Sequence, residues 1–212
     1  MANSLTRTSL HHAVRELSAR DADLAGIAAR LGTPPLWGRR PGFPTLIRII
    51  LEQQVSLAAA LTLFRRLQHH LATVSAATIH ALGEAGLRDF GLTRQKARYC
   101  HGLAARILDG GLDLSRVASR PDDEGRSMLL SVPGLGPWSV DIYFLMALRR
   151  PDIWPEGDLA LASALRDVKR LKALPSREDQ QRIAARWSPV RSVAARLLWA
   201  YYLDARGVTL PR

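Results

Sequence analysis

The run V-P-G-L-G-P-W, Val132 to Trp138, limits what this chain can fold into more than any other stretch. Pro133 disfavours helical geometry at Val132, so the apolar segment SMLLSV that begins at Ser127 must stop being a helix there. Gly134 and Gly136 allow backbone angles that other residues avoid, which permits a tight reversal. Pro137 suits the first position of a new helix, where a missing N–H costs nothing. The following WSVDIYFLMAL predicts helix to about Leu148. The pattern is helix, four-residue turn, helix, over about 122–148. Glycines at a helix start leave backbone N–H groups open to an anion, and the helix dipole favours negative charge there. A nucleic-acid phosphate fits that chemistry; an ordinary interhelical turn is the competing reading of so short a pattern.

Beyond this helix, Arg149 to Gly157 (RRPDIWPEG) reads as a loop with two prolines, and Asp158 follows, 22 residues past Gly136, directly before the apolar-periodic LALASAL. An Asp in that place caps a helix by accepting its first N–H bonds. Taken alone, it needs no other role.

Lys and Arg number 30 against 19 Asp and Glu, a formal charge of +11, which favours a polyanionic partner. The single cysteine, Cys100, excludes an intrachain disulfide framework or a four-cysteine metal site and reads as a small core residue. No stretch approaches 18 unbroken apolar residues and the N-terminus lacks a long apolar signal region, so no membrane partner is expected and the cytoplasm is the default location.

In chain order, residues 1 to about 9 read as loose, with Ser9 capping a first helix and Asp21 or Asp23 a second through Leu31. Residues 32–44 hold four prolines and three glycines and read as a loop carrying Trp37, either a plug over the core or a pocket wall. Thr45 to about His70 has helical periodicity, interrupted near Gln53 and Gln54. Two short helical patterns meet at Gly83, Thr93 caps a basic helix, Leu112 to Arg120 reads as an irregular connection, and Pro121 opens the helix that enters the turn. Ser176 with Asp179 forms a capping-box pattern, and a last helix runs from about Pro189 to Ala205. Every convincing segment is helical, so the fold class is all-α.

The sequence V-P-G-L-G-P-W-S-V, an aromatic-aliphatic helix and P-E-G-D-L resembles the helix-hairpin-helix DNA glycosylases, and within them the alkylpurine branch of the 3-methyladenine DNA glycosylase II type. LEQQVS, Leu51 to Ser56, resembles that branch's Q-Q-[VIL]-S segment, and the likeness extends from about Phe43 to Tyr202. It implies two helical subdomains flanking an active-site cleft: a central bundle, 51–148, and a second bundle in which residues 1–50 pack with 149–212. Fewer than 45 residues precede the match, so the extra N-terminal α/β domain of the enterobacterial type is expected to be missing.

By the same resemblance, Asp158 is the catalytic aspartate, and Trp138, Trp199, Tyr143 and Trp37 are base-pocket candidates. Gln53 and Gln54 are candidates for the wedge that fills the gap left by an extruded nucleotide. The amides of Gly134, Gly136 and Trp138 would grip a DNA phosphate. The carbonyls of Leu130, Val132 and Leu135 would hold a monovalent cation, sodium or potassium. The iron–sulfur cluster of the endonuclease III branch needs four cysteines, so none is expected. Members that also nick the strand carry a lysine two residues after the second hairpin glycine; here that residue is Trp138, so no Schiff base is available there. The branch often has tyrosine four residues after the hairpin tryptophan, where this chain has Ile142, and an aromatic after the aspartate, where it has Leu159. The expectation is a monomeric, monofunctional glycosylase acting on damaged DNA and removing alkylated purines; a DNA-binding module without activity and a glycosylase for deaminated bases are the alternatives.

Overall fold

The computed structural model describes residues 4–208, and among them there is no strand. The chain divides into two compact units, 39–143 and a second made of 4–38 with 144–208.

The first unit contains α3 (Phe43–Glu52), α4 (Leu57–Leu71), α5 (Ala76–Asp89), α6 (Arg94–Leu108), α7 (Leu114–Ser119), α8 (Asp122–Leu130) and α9 (Pro137–Ile142). Helix α3 packs on α4, α6 and α9, with Leu46, Ile49 and Ile50 fully buried, so it belongs to this unit rather than to the N-terminal segment with which residues 1–50 were grouped. Its last turn holds a buried charge cluster: Glu52 takes both Arg39 Nη atoms at 2.8 and 3.0 Å and Arg48 Nε at 3.0 Å. Gly83 leaves helical geometry inside α5 (φ 64°, ψ 177°), which breaks that element where its two sequence patterns meet.

The second unit contains α1 (Arg7–Arg20), α2 (Ala22–Leu31), α10 (Leu159–Val168), α11 (Arg177–Ala184) and α12 (Arg191–Asp204). Residues Ser192 to Ala200 of α12 are buried without a break, because α1, α2 and α10 all pack on this helix. The α1–α2 junction is clamped by a polar knot. Lys169 Nζ lies 2.7 and 2.8 Å from the two Asp21 carboxylate oxygens and 2.7 Å from Asp23, while Trp187 Nε1 donates to Asp21 at 2.8 Å. Burial pushes the Asp21 carboxyl up, but the bonds from Lys169, Trp187 and the Leu24 N–H outweigh it and hold it below the usual carboxylate range.

Four local expectations are corrected. Residues 4–6 are ordered, since Leu5 is buried and Thr6, not Ser9, caps α1; Ser9 is the third residue of the helix and returns a bond to the Thr6 N–H, completing a capping box. The supposed irregular connection contains α7, nucleated by Asp113, whose carboxylate accepts from the Ser115 and Arg116 N–H groups. The helix after the turn is α-helical only to Ile142 and continues as a π-turn, Tyr143–Ala147. At α11, Ser176 accepts the Asp179 N–H but donates its own hydroxyl to the Asp179 carboxylate, so the box is half formed. The rest of the loose N-terminal stretch, 1–3, lies outside the described residues.

Candidate functional site

In the first unit the chain leaves α8 at Ser131 and turns at once: Val132 N–H donates to Leu129 and Leu135 N–H to Val132, both at 3.0 Å. The two glycines of the turn serve different purposes. Gly134 has φ 93°, and a Cβ on it would lie 2.3 Å from Tyr99 Cγ, so both backbone and neighbour demand a bare Cα. Gly136 is extended (φ −81°, ψ 175°), with nothing within 4 Å of a built Cβ. Its missing side chain keeps the space in front of α9 open. Neither the Gly134 nor the Gly136 N–H has an acceptor among the described residues.

Two long side chains hold this region by its carbonyls, and a third holds the end of α3 from which Gln53 projects. Gln53 Nε2 donates to Gly134 O and Ser139 Oγ, both at 2.8 Å, and Arg106 Nη1 donates to Ser131 O at 3.0 Å. Lys96 Nζ reaches Leu51 O at 2.8 Å, at the end of α3. The two candidate wedge amides therefore part company. Gln53 is committed to the hairpin, whereas Gln54 is exposed in a left-handed backbone (φ 57°) between exposed Val55 and Leu57. Of the pocket candidates in this unit, Trp138 is half-buried at the second residue of α9. Tyr143 is a core residue instead: it is 1% exposed and its hydroxyl accepts the Gly42 N–H at 3.0 Å. Asp141 is buried in an ion pair with Arg126.

In the second unit, Asp158 is the N-cap of α10. Its Oδ1 accepts the Leu161 N–H at 2.9 Å and faces Trp199 Nε1 at 3.3 Å. Both bonds orient the carboxylate, and the positive end of α10 favours its charge. Trp199, near the end of buried α12, has Trp37 edge-on with centroids 6.4 Å apart and planes at 69°. The loop carrying Trp37 is pinned from inside by Arg196, which is wholly buried and donates to the carbonyls of Leu36 (3.1 Å), Ser192 (3.1 Å) and Leu145 (2.8 Å). Burial pushes this guanidinium down to about 9, the nearby Arg149 charge adding to the effect. Nothing local in RSVAARLLW marks Arg196 as a loop anchor; an arginine among apolar helix positions is the one clue. Asp152 is spent on Arg191 (2.8 Å) and Ser188 (2.9 Å), so it is structural.

The first unit thus presents a helix–hairpin–helix with unengaged glycine amides, and the second a carboxylate at a helix start against the Trp199 indole. Residues 47–189 match the HhH-GPD superfamily base excision DNA repair protein family, and the chain belongs to that family. It is 28% identical over 162 residues to the "Putative DNA-3-methyladenine glycosylase YfjP" of Bacillus subtilis, covering 73% of this chain and 56% of the relative. It is 31% identical over 208 residues to the "Probable bifunctional transcriptional activator/DNA repair enzyme AlkA" of Mycobacterium tuberculosis, covering 87% of this chain and 41% of the relative. The chain thus spans about half the length of these curated relatives. Among solved structures, Schizosaccharomyces pombe 3-methyladenine DNA glycosylase Mag1 in complex with abasic DNA superposes with TM-score 0.76 at 22% identity, over 89% of this chain and 95% of that one. A Clostridium acetobutylicum 8-oxoguanine glycosylase/lyase superposes with TM-score 0.75 at 18% identity, over 93% and 70%. At such identities the likeness establishes the fold, and the same fold carries more than one chemistry. No helix among the described residues is long and apolar enough to cross a membrane.

Proposed function

We propose that this protein is a monofunctional DNA glycosylase that excises alkylated purines, such as 3-methyladenine and 7-methylguanine, and leaves an abasic site. The observation that carries the reading is Asp158, held at the start of α10 by the Leu161 amide and the Trp199 indole. Ring-alkylated purines carry positive charge, so the glycosidic bond breaks with both electrons leaving on a neutral base. What needs help is the cationic sugar left behind, and a fixed carboxylate stabilises it electrostatically until water adds at C1′. In the second unit Trp199 and Trp37 supply indole surface suited to a cationic base, and in the first Trp138 does, each such contact worth about 0.5–2 kcal/mol. With Trp138 where strand-nicking relatives have lysine, no amine is present there to attack the sugar.

The amides of Gly134, Gly136 and Trp138 take a backbone phosphate, and Gln54, exposed on a left-handed turn, is the wedge. The carbonyls of Leu130, Val132 and Leu135 offer the oxygen chemistry that a sodium or potassium ion takes. Arg106, 3.0 Å from Ser131 O in the same turn, already brings a positive charge there, so the ion's contribution is expected to be small. The protein acts as a monomer on chromosomal DNA in the cytoplasm.

The test is base release from methylated genomic DNA and from duplexes bearing 7-methylguanine or 1,N6-ethenoadenine, with Asp158→Asn in parallel. Release by the parent and its loss in the variant supports the reading. DNA binding without release of any base sinks the alkylpurine assignment, and a borohydride-trapped covalent adduct sinks the monofunctional one.

A further inference from the structure

Arg149 occupies a position that backbone stability would give to glycine. It follows the π-turn Tyr143–Ala147 with φ 55°, and the next N–H, that of Arg150, closes on Phe144 O at 3.0 Å. This is the arrangement in which a helix end adopts a left-handed residue, usually glycine, before the chain departs. An arginine accepts steric strain there that glycine avoids. Its main chain does nothing that glycine could not do, since its carbonyl accepts the Leu5 N–H at 2.8 Å whatever the side chain.

The side chain does something specific. It is exposed, and its guanidinium lies over Gly38, where a built Cβ would come within 3.1 Å of Nη2. Gly38 follows Trp37, Trp37 lies edge-on to Trp199, and Trp199 donates to Asp158. A succession of contacts therefore joins Arg149 to the candidate catalytic carboxylate, all within one unit. Arg149 also sits close enough to buried Arg196 to disfavour its charge, and neither guanidinium is paired with a carboxylate among the described residues. An exposed guanidinium with no carboxylate partner, kept at the expense of backbone strain in the unit that carries Asp158, calls for an anion.

We propose that Arg149 binds a DNA backbone phosphate next to the extruded nucleotide, a second phosphate contact separate from the hairpin and belonging to the unit that carries Asp158. This rests on the glycosylase reading only for the identity of the polyanion. Arg170 provides a matched control, because it too is an exposed arginine with φ 53° just past a helix, α10, and among the described residues its side chain makes no hydrogen bond or ion pair with the Trp37 loop.

The experiment measures binding of a duplex containing a tetrahydrofuran abasic analogue, by anisotropy, across a salt series for the parent, Arg149→Gly and Arg170→Gly, with thermal melts of each. Losing one phosphate contact should lower the slope of log K against log salt by about 0.9. Arg149→Gly should show that fall and weaken binding by about tenfold near physiological salt, while melting no lower than the parent because left-handed strain is relieved. Arg170→Gly should match its thermal gain and keep the parent's slope. An unchanged slope in Arg149→Gly overturns the inference, as does an equal fall in Arg170→Gly, a parent that fails to bind the duplex, or a lower melting temperature with binding unaltered. Base release by the parent is assayed on the same preparations. A fall in slope without release leaves the phosphate contact standing and removes the glycosylase reading; release with an unchanged slope does the reverse.

Discussion

In the unit of residues 39–143, the side chains around the hairpin are donors aimed at main-chain carbonyls: Gln53 at Gly134, Arg106 at Ser131, Lys96 at Leu51. In the other unit Arg196 also reaches carbonyls, but the candidate site and the α1–α2 junction are fixed through carboxylates: Asp21 beneath Lys169 and Trp187, Asp152 on Arg191, Asp158 on the Leu161 amide and Trp199. The first arrangement fixes the direction of a backbone and leaves the Gly134 and Gly136 N–H groups without an acceptor among the described residues. The second fixes the direction of a charge. Positioning a dipole therefore depends on glycines and long neutral or basic reaches, and positioning a charge depends on caps and indoles.

The largest effect that would separate the two is expected at Asp158. Asp158→Asn should lower the single-turnover rate of base release by about 10²–10³, as removing one electrostatic stabiliser typically does. Stability should stay within about 0.5 kcal/mol, because Asn caps a helix as well as Asp. A variant that keeps its rate would mean that the carboxylate is only a cap. Next comes Gly134→Ala, where left-handed strain and collision with the Tyr99 ring together should cost about 3 kcal/mol in urea unfolding and abolish DNA binding. Gly136→Ala sharpens that result. Its extended backbone and open surroundings predict no loss of stability, so any drop in DNA affinity reports a methyl group obstructing the ligand.

Lys169→Met tests the charge-based unit away from Asp158. It should destabilise the protein by about 1–3 kcal/mol at pH 7, since Asp21 keeps only the Trp187 and backbone donors. The Asp21 pKa is lowered on folding, so its contribution is full above the unfolded value of about 3.9 and is lost as pH falls through the folded one. The gap between parent and variant should narrow below about pH 4; a gap independent of pH would show that the loss is packing, not charge. The smallest effect is expected from Gln53→Leu, about 1–2 kcal/mol for two hydrogen bonds, seen as faster amide exchange through residues 134–139. Unchanged exchange there would show that the turn holds itself.

Local chemistry made the hairpin, the cap at Asp158 and most helix boundaries legible. Proline, glycine and cap residues act through their own backbone and need no distant partner. Helix α7 has no hydrophobic period in the sequence because six residues are too short for one, and Asp113 at its start is its single local signal. Tyr143 read as a pocket wall because an aromatic beside a functional stretch has the same sequence signature whether it is buried or lining a site.

What the sequence by itself determined is an all-α chain with a glycine turn and a carboxylate at a helix start, since both are set by backbone angles that a few residues impose. Only the tertiary structure decided that Gln53 serves the hairpin while Gln54 stays exposed, that Arg196 is sealed inside holding the Trp37 loop, and that Arg149 lies over Gly38. Those assignments depend on Gly134, 81 residues from Gln53, on Leu36, 160 residues from Arg196, and on Gly38 across the chain for Arg149. No local propensity encodes which distant carbonyl or Cα a long side chain will meet.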